Sequence, residues 1–249
     1  MSLPARPEST YHRLVRMKRL MPRWLLRRLD PYNTCADAFV EQAARRLPAG
    51  AWVLDAGAGE CRHAPYFAHV HYLGTDSGVG EKEHWDYTRL AFFSELTAIP
   101  LASHSVDAVV SVNVLEHGEE PLEVLRECHR TLRPDGHLFM VAPQSWRVHQ
   151  APADFLRFTR FGLERLLKSA GFKIEELHPI GGTFWNFGTR SVYLLTHFQG
   201  RRFPLALLLA PVLGFLIPFV CFYLDRLDRT REDTLGYTVV ARPAGPEVA

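Results

Sequence analysis

The stretch VLDAGAGEC, residues 53–61, decides the fold class. It opens with apolar residues that are typical of a buried strand, and Gly57 and Gly59 then end the apolar run. The segment RHAPYFAHV at 62–70 predicts a short helix, and HYLGTD at 71–76 predicts a second strand. Two strands joined by a helix of this length form a βαβ unit with a parallel sheet.

The alternation of helix and strand continues through the chain. Helical spacing of apolar residues predicts helices, and short apolar or β-branched runs predict strands. The predicted helices are 34–47 with Thr34 as N-cap, 121–132 and 161–172; the further predicted strands lie near 90–94 and at 106–112, 137–143, 172–178 and 236–242. Arg-Pro-Asp-Gly at 133–136 predicts a turn. This order predicts a Rossmann-like, doubly wound, seven-stranded sheet in a three-layer α/β/α sandwich.

Composition agrees with a globular protein that has a full-sized core. The chain has 249 residues, of which 47% are apolar and 22% charged, and this excludes collagen-like and wholly disordered classes. Four well-separated cysteines indicate neither a disulfide framework nor a zinc cluster. The N-terminus lacks the apolar segment of a secretory signal. We therefore expect a cytoplasmic, reducing location.

Charge and hydropathy divide the chain further. Residues 1–30 hold eight Lys/Arg against two acidic residues, whereas the remainder is mildly acidic. We expect a basic amphipathic arm at 1–33, the Rossmann-like core at 34–182, an apolar helical insertion at 183–233, and the last strand and tail at 234–249.

The residues around the glycine turn favour a cationic ligand. A dinucleotide fingerprint needs a third glycine and a site for an anionic pyrophosphate, but Arg62 stands at that glycine's position. Asp55 and Glu60 add negative charge beside the turn. S-adenosylmethionine carries a sulfonium and an ammonium and no phosphate. Asp76, at the end of the second predicted strand, stands where a carboxylate accepts hydrogen bonds from ribose hydroxyls.

At these motifs the chain resembles the class I S-adenosylmethionine-dependent methyltransferases. VLDAGAGEC is similar to the first motif of that family and YLGTDS to the second. SELTAIPLASHSVDAVVSVNVLEH resembles the adenine-side stretch, and LRPDGHLFMVAP the segment through the fifth strand. The resemblance covers residues 34–178 and 235–243. It implies S-adenosyl-L-methionine as cofactor.

The resemblance also implies roles for individual residues. The implied positions are the methionine moiety for Asp55, Gly57 and Gly59, the ribose for Asp76, the adenine edge for Glu95 and Leu96, and the vicinity of the methyl group for Asn113, Leu115 and Glu116. The chain departs from the family at its third glycine, which is Cys61, and at 78–90, where a helix is expected but no helical period is present. Trp85 or Tyr87 could cover the cofactor there. In the alternative interpretation these acids and glycines only serve turns and caps.

The acceptor side has two candidate general bases, His149 and His117, because histidine exchanges protons near neutral pH. His149 lies in the loop after the fifth predicted strand, where α/β sheets bind ligands. The loop is similar to the H-x-x-P-x-D-F-x-R-F-T stretch of methyltransferases associated with polysaccharide and lipid-linked substrates. His149 could instead be an ordinary surface histidine. Asp154 and Arg157 are expected to form a local ion pair. No metal site is predicted.

Residues 203–224 form an apolar run of 22 positions without a charge. This length suits a membrane span of about 20 residues. A single crossing is not compatible with the return of strand 236–242 to the sheet. The candidates are a re-entrant hairpin, an interfacial helix or a buried oligomer contact, and the three prolines of the run favour bent forms. A soluble helical pair is the alternative.

Flanking residues favour a membrane surface. Basic residues surround the run, namely Arg201, Arg202, Arg226, Arg229 and Arg231, and Trp185, Phe187, Tyr193, Phe222 and Tyr223 could lie at the headgroup level. The arm at 11–29 alternates apolar and basic residues and suits anionic lipid. No nucleic-acid partner is expected, because the basic residues stop at the arm.

These observations lead to one principal hypothesis and two alternatives. The principal hypothesis is an S-adenosylmethionine-dependent methyltransferase, peripheral or monotopic on the cytoplasmic face of a membrane, that acts on a small or lipid-linked acceptor. The first alternative is a catalytically inactive methyltransferase-like scaffold at the membrane. The second is a nicotinamide-dependent oxidoreductase, which Arg62 disfavours. The sequence leaves the oligomeric state open.

Overall fold

A computed structural model describes residues 21–78, 85–198 and 202–245. The helices are α1 (Arg23–Leu29), α2 (Pro31–Arg46), α3 (Pro121–Thr131), α4 (Arg160–Ser169), α5 (Thr183–Leu194), α6 (Phe203–Leu209) and α7 (Ile217–Leu224). The strands are β1 (Trp52–Ala56), β2 (His71–Asp76), β3 (Phe92–Phe93), β4 (Val106–Val112), β5 (Leu132–Pro143), β6 (Phe172–Pro179) and β7 (Gly236–Pro243). Part of the predicted basic arm, residues 1–20, lies outside the described residues, as does Arg201.

Short helical turns complete the described elements. They are 3-10 turns at Ala64–Phe67, Leu115–His117, Leu195–His197 and Asp225–Leu227, and a π-helical segment at Ala210–Leu216. The helix predicted at 62–70 is thus a single 3-10 turn.

Within the described residues the strands form a seven-stranded sheet in the order β3-β2-β1-β4-β5-β7-β6. The pairs from β3 to β5 are parallel, and β7 runs antiparallel between β5 and β6. The strand order reverses at β1 and β4, whose carboxyl ends therefore border the crevice where such sheets bind ligands. The predicted Rossmann-like fold class is confirmed.

Helices cover both faces of the sheet. On one face, Val40 and Ala43 of α2 pack against Val53 and Val110 of the strands. On the other face, side chains of α3 and α4, such as Leu125, join a larger cluster with the strands. Alternate residues of each strand face opposite clusters, as the pleat requires. The three layers follow from this alternation.

The chain divides into two compact units. One contains Ala36–Ile180 and Gly236–Ala249, and the other Met1–Cys35 and Gly181–Leu235. The sheet and both of its core clusters belong to the first unit. The chain leaves this unit at Ile180 and returns at Gly236, where the Ile180 amide donates to the Gly236 carbonyl at 2.7 Å.

Two local predictions were wrong. Thr34 does not cap a helix, because α2 begins at Pro31 and the Thr34 hydroxyl donates back to the Asp30 carbonyl at 3.0 Å. Residues 133–136 do not separate α3 from a strand that begins at 137, because β5 begins at Leu132 directly after α3. These four residues form an irregularity in the pairing between β4 and β5, which moves from Val106↔Leu132 to Ala108↔His137.

The apolar run is helical without interruption from Phe203 to Leu227. Of the three candidate arrangements, the re-entrant hairpin is therefore excluded, and the interfacial helix and the oligomer contact remain. Pro204 stands near the first position of α6, where a missing amide hydrogen is tolerated. Pro211 lies in the π-helical segment and Pro218 just after it, inside the continuous helix. The prolines thus change the helical pitch and do not reverse the chain.

In the second unit, the buried acid Asp225 joins the start of α5 to the segment after α7. Asp225 accepts hydrogen bonds from the Gly182 amide at 3.1 Å and the Trp185 amide at 2.9 Å, at the start of α5, and pairs with Arg231. The Trp185 ring stacks on Phe222 of α7 with centroids 5.3 Å apart. Asp225 therefore serves as a long-range cap of α5.

Helix α1 packs on α7 through Arg28. Its Nε donates to the Tyr223 hydroxyl at 2.6 Å, and its guanidinium lies 5.5 Å from the Trp24 ring and 5.6 Å from the Phe222 ring. This arrangement is a cation–π contact with several rings. The described end of the predicted arm and the apolar run thus belong to one packed unit.

Candidate cofactor and acceptor site

The turn after β1 requires glycine. Gly57 has a φ of +85°, and a Cβ at this position would lie 2.4 Å from the Val114 side chain. The Gly57 and Ala58 amides both donate to the Thr75 carbonyl, at 2.9 and 2.8 Å. The turn after β1 is therefore pressed between the end of β2 and the segment after β4.

Cys61 keeps the backbone of the glycine it replaces. Its φ of +54° is in the left-handed region, which costs a residue with a side chain roughly 1–2 kcal/mol. The Cys61 side chain is fully buried, and its Sγ lies 2.7 Å from the position that a Cβ of Gly74 would occupy. Cys61 thus adopts a backbone conformation that glycine reaches readily and fills the space beside Gly74.

Asp76 connects the two turns at the carboxyl edge of the sheet. Its Oδ2 accepts a hydrogen bond from the Gly59 amide at 3.0 Å, and its Oδ1 accepts one from the Gly78 amide at 2.9 Å. The side chain is buried. A carboxylate with two acceptor positions on each oxygen is a group that suits a vicinal diol.

Asp55 belongs to an internal network. Its Oδ2 accepts a hydrogen bond from the Tyr72 hydroxyl at 2.6 Å and lies 4.0 Å from His63 Nδ1. His63 Nε2 lies 3.5 Å from Asp37, which also pairs with Arg62. Burial raises the pKa of the Asp55 carboxyl. The Asp55 side chain thus holds β2 and the segment 61–63.

Tyr72 and His63 were missed as partners of Asp55. Tyr72 pairs with Val53 in the parallel sheet, so it lies on the face that Asp55 shares, two residues further along β1. Such diagonal neighbours are within reach of an aromatic side chain. The alternation of side chains along β1 and β2 was the available signal. It identifies Tyr72 as the partner of Asp55 only when the register of the two strands is known.

Aromatic residues after β2 lie over the glycine turn. A Cβ at Gly59 would lie 2.5 Å from the Trp85 ring, and the Trp85 and Tyr87 rings are 6.3 Å apart. The Asp86 amide donates to Glu60 Oε1 at 3.2 Å. Residues 85–91 contain no helix, which agrees with the missing helical period. Trp85 therefore packs directly on this turn, and a role for Trp85 or Tyr87 in covering the cofactor stays a prediction.

The predicted adenine and methyl positions differ in exposure. Glu95 is exposed, whereas Leu96 is partly buried against the core. Asn113 has a φ of +56° directly after β4, and its amide donates to the Val141 carbonyl at 2.9 Å. The Leu115 side chain lies within the core, so only its backbone can face a ligand. Glu95 and Leu96 thus follow the end of β3, and Asn113 and Leu115 follow the end of β4.

Glu116 lies between the two predicted bases. Its Oε1 is 3.8 Å from His117 Nε2 and 4.0 Å from His149 Nε2, and the two imidazole centroids are 4.7 Å apart. One of the predicted methyl-side residues and both predicted bases thus form one cluster, which we call the Glu116 cluster. Within the described residues, neither carboxylate oxygen of Glu116 has a hydrogen-bond partner.

The loop after β5 is tied to this cluster. The Phe155 and Leu156 amides donate to the Glu116 carbonyl at 2.9 and 3.2 Å. Asp154 accepts two hydrogen bonds from Arg157, at 2.6 and 2.8 Å, so the predicted ion pair is confirmed. Asp154 also accepts from the backbone amide of His149 at 2.8 Å and lies 3.2 Å from its Nδ1. The ion pair thus orients His149.

The two acids of this region have opposite pKa shifts. Burial raises the pKa of the Glu116 carboxyl to about 8. Burial also raises the pKa of Asp154, but the hydrogen bonds from Arg157 and from the His149 amide outweigh it and hold that pKa below its usual range. Glu116 therefore keeps its proton to a higher pH than Asp154 does, and a cation bound beside Glu116 would favour the carboxylate form.

The glycine turn suits a cationic nucleoside better than a phosphate. The buried carboxyls of Asp55 and Asp76 and the side chain of Glu60 surround it. Arg62 is engaged in an ion pair with Asp37. A pyrophosphate would meet like charge here, whereas a sulfonium and an ammonium would be attracted. The residues therefore fit S-adenosylmethionine.

The fold and the residues of the site resemble those of class I methyltransferases. Residues 54–140 match the family model described as "Methyltransferase domain". This segment runs from the glycine turn through the Glu116 region into β5. The expected resemblance to S-adenosylmethionine-dependent methyltransferases of class I is confirmed.

Two mycobacterial relatives share about half of this chain. One, from Mycolicibacterium smegmatis, is named "Probable S-adenosylmethionine-dependent methyltransferase" and is 32% identical over 141 residues, which are 51% of this chain and 54% of the relative. The other, from Mycobacterium sp. strain JLS, is named "Uncharacterized methyltransferase" and is 31% identical over 142 residues, 49% and 55% of the two chains. The chain thus spans about half the length of the curated relatives it matches.

Solved structures share the fold. The YcgJ protein from Bacillus subtilis aligns with a TM-score of 0.53 over 84% of this chain and 99% of its own, at 12% identity. The cyclase SpnF aligns with a TM-score of 0.54 over 84% and 82% of the two chains, at 20% identity. A cyclase on the same fold shows that the fold alone does not decide the reaction.

Proposed function

We propose that this protein transfers a methyl group from S-adenosyl-L-methionine to a small or lipid-attached acceptor at a membrane surface. The observation that carries the first part is Asp76, a buried carboxylate at the end of β2 that holds the glycine turn through the Gly59 amide. The methyltransferase family match over residues 54–140 supports the same cofactor.

The bound cofactor supplies a methyl group on a positively charged sulfur. Asp76 binds the ribose hydroxyls, and Gly57 and Gly59 let the methionine part approach the backbone. The carboxyl of Asp55 lies beside the turn, where a bound cation would favour its ionised form. Trp85 covers the turn and excludes water. These residues position the cofactor, and positioning supplies much of the rate of such a transfer.

The Glu116 cluster serves the acceptor. His149 has the arrangement of a histidine base, with Asp154 beside Nδ1 and the opposite ring nitrogen directed into the cluster. His117 is held in a similar way by the Ala153 carbonyl. General-base roles for His149 and His117 remain a prediction, and the acceptor atom is left open.

The exposed helix supports a membrane surface. Only 17% of the most apolar window of the helix Phe203–Leu227 is buried, whereas a core helix of a soluble protein would be mostly buried. Large apolar side chains along it are exposed, among them Leu205, Leu207, Leu208, Val212, Phe215, Leu216 and Val220. An apolar surface of this size is typical of a membrane or protein contact.

Chain connectivity favours a helix that lies in the interface. β6 and β7 are neighbours in one sheet, so the chain that leaves after β6 must return to the same side of a bilayer. Of the described helices, one is long and apolar enough to span, and a span needs about 20 residues. The segment 228–235 is too short to cross back. An interfacial helix satisfies both requirements.

The cofactor proposal is tested by calorimetric titration with S-adenosylhomocysteine. The wild-type chain should bind it, and Asp76→Ala should bind at least about 10-fold more weakly, because two hydrogen bonds to a charged acceptor are lost. Asp76→Asn, which keeps the shape and one acceptor oxygen, should be intermediate.

Asp135→Ala is the matched control, since Asp135 is an exposed acid in the β5 irregularity. Equal affinity of the wild type and Asp76→Ala, or no binding by the folded wild type, contradicts the proposal. Binding by every form without methyl transfer to a broad panel of acceptors would favour the inactive scaffold.

The membrane proposal is tested by flotation with anionic phospholipid vesicles. Leu207 and Leu208 are 61% and 72% exposed on the helix. Leu208→Glu should weaken binding about 10-fold, because burying a leucine contributes about 1.5–3 kcal/mol, and Leu207→Glu should act similarly.

Phe161→Glu is the matched control, because Phe161 is 77% exposed on α4 in the other unit. It should float like the wild type. Unchanged flotation of the double variant at Leu207 and Leu208, with intact thermal unfolding, would exclude this helix as the membrane contact and leave a soluble or oligomeric packing role.

A further inference from the structure

The Glu116 cluster brings three potential metal ligands together. A carboxylate oxygen of Glu116 and one ring nitrogen each of His117 and His149 all lie within 4.8 Å of one another. Two imidazoles and one carboxylate form a donor set that transition-metal ions favour in proteins.

The second nitrogen of each ring is held by an acceptor. His117 Nδ1 lies 2.5 Å from the Ala153 carbonyl oxygen, and His149 Nδ1 lies 3.2 Å from the Asp154 carboxylate. Carbonyl and carboxylate oxygens accept hydrogen bonds, so each neutral ring carries its hydrogen on Nδ1. The lone pairs of both Nε2 atoms are then directed towards Glu116.

The carboxylate of Glu116 is aimed into the same space. Its side chain is 1% exposed, and no described residue donates a hydrogen bond to either oxygen. The guanidinium of Arg157 is engaged by Asp154 and by the Trp146 and Arg147 carbonyls. Two lone pairs and a buried carboxylate thus face one another, an arrangement that a bound cation would satisfy.

We propose that Glu116, His117 and His149 bind a divalent transition-metal ion of the zinc type. Ligand atoms at 2.0–2.2 Å from a tetrahedral ion are about 3.4 Å apart. The separations of 3.8 and 4.0 Å between Glu116 and the two histidines therefore need a contraction of well under 1 Å. The three ligand atoms all lie within 4.8 Å of one another, so the two histidine nitrogens need a contraction of at most about 1.4 Å. The Nδ1 contacts with a carbonyl and a carboxylate are those that orient metal-binding histidines.

The site is most open on the side of His149. The His149 side chain is 24% exposed, whereas Nε2 of His117 and both carboxylate oxygens of Glu116 are buried. Three protein ligands leave a coordination position for an outside oxygen, as in zinc sites that act on a substrate. The second unit contributes no residue to this set.

The role of the ion rests on the proposed function. With Nε2 of His117 and His149 bound to the ion, the ion replaces both histidines as the group that activates the acceptor. An acceptor hydroxyl bound at the open position would lose its proton to water, because the ion lowers the pKa of a bound oxygen. The resulting alkoxide or phenolate is the form that accepts a methyl group. A metal ion at this site would therefore select acceptors that carry a hydroxyl group.

Isothermal titration with zinc chloride tests the site on the full, tag-free chain after treatment with a chelator. The wild type should bind one zinc ion per chain. Glu116→Gln keeps the side-chain shape and should weaken binding at least about 100-fold, because the loss of even an outer partner costs 10–100-fold. His149→Gln should act similarly.

His137→Gln is the matched control. His137 lies 3.4 Å from Glu175 in an exposed histidine–glutamate pair outside the cluster, and its loss should leave zinc binding unchanged. Far-UV circular dichroism checks folding. If Glu116→Gln does not fold, His149→Gln carries the test because that side chain is partly exposed.

The outcomes separate this inference from the cofactor proposal. A folded wild type that binds no zinc, or zinc binding by Glu116→Gln and His149→Gln at wild-type strength, overturns the metal site. S-adenosylhomocysteine titrated into the same samples reports on the cofactor site independently. Cofactor binding without zinc binding would thus refute only the inference made here.

Discussion

Gly57 is the residue at which the shape of the cofactor turn is set. Its positive φ and the contact with Val114 place two independent demands on one position. The positive φ is a local demand, whereas the contact with Val114 depends on the segment after β4. Asp76 and the Glu116 cluster depend in the same way on chain segments brought together by the sheet.

Gly57→Ala should impair both stability and cofactor binding. The left-handed conformation costs an alanine roughly 1–2 kcal/mol, and the clash with Val114 adds about 1–3 kcal/mol of overpacking. We expect the free energy of unfolding, measured with urea, to fall by the sum of these two costs. Titration with S-adenosylhomocysteine should show weaker binding, because the turn must move.

Gly50→Ala separates these two effects. Gly50 has a φ of +79°, but nothing lies within 4 Å of the position of its Cβ. It should therefore lose only the conformational part, roughly 1–2 kcal/mol, and bind the ligand normally. Equal destabilisation by the two substitutions would show that Val114 yields without cost.

Among the elements, α3 holds the segment that precedes β4. Glu127 accepts a hydrogen bond from the Ile99 amide at 3.0 Å and pairs with Arg130 at 2.8 Å. Arg130 in turn donates to the Ile99 and Leu101 carbonyls, at 2.8 and 2.7 Å. The pair of Glu127 and Arg130 thus fixes the segment 99–101 through its backbone groups.

Glu127→Gln should lower the free energy of unfolding by about 1–2 kcal/mol at pH 7, because hydrogen bonds to a charged group are weakened. The hydrogen bonds from Arg130 lower the pKa of Glu127. Its contribution is therefore present above the unfolded pKa of about 4.3 and is lost as pH falls through the lower folded value. Urea unfolding at pH 7 and pH 3 should show the difference between the two proteins shrinking in acid.

Glu123→Gln on the same helix is the control. Glu123 pairs with Arg126 at 2.5 Å, also three residues away, but both side chains are about half exposed. Surface pairs of this kind contribute roughly 0–1 kcal/mol. A loss in Glu123→Gln as large as that in Glu127→Gln would mean that helix charge, and not the anchored segment, is responsible.

At the scale of the whole molecule, the sheet is complete without the second unit. Both core clusters contain only residues from 36–180 and 236–245. Pro179 and Tyr237 are direct partners in the antiparallel pair of β6 and β7. A short turn could therefore join these strands, as in an ordinary hairpin.

A chain of residues 31–180 and 236–249, joined by a short Gly/Asn turn, should fold and bind S-adenosylhomocysteine like the full chain. It should not float with anionic vesicles, because the exposed apolar helix and the basic arm are absent. Titration and flotation of both proteins check this. Flotation of the shortened protein, or loss of ligand binding while its circular dichroism remains native, contradicts the division of roles.

Much of the fold could be predicted because its signals are local. Strands β2 and β4 have the predicted limits, since short apolar runs bounded by turn residues identify buried strands. The irregularity in β5 could not be predicted, because Arg-Pro-Asp-Gly reads as a turn in any local context and only pairing with β4 includes it in a strand. The start of α2 was missed for a similar reason.

The candidate site divides in the same way. The amino-acid sequence alone determined the alternating α/β order, the glycine turn and the acids after β1 and β2, because each depends on neighbouring residues. Tertiary structure alone decided that Asp55 binds Tyr72, that Asp76 holds Gly59, and that Glu116 meets His149. These contacts join residues that are 17 and 33 positions apart, and their geometry depends on strand register and loop path, which no local pattern records.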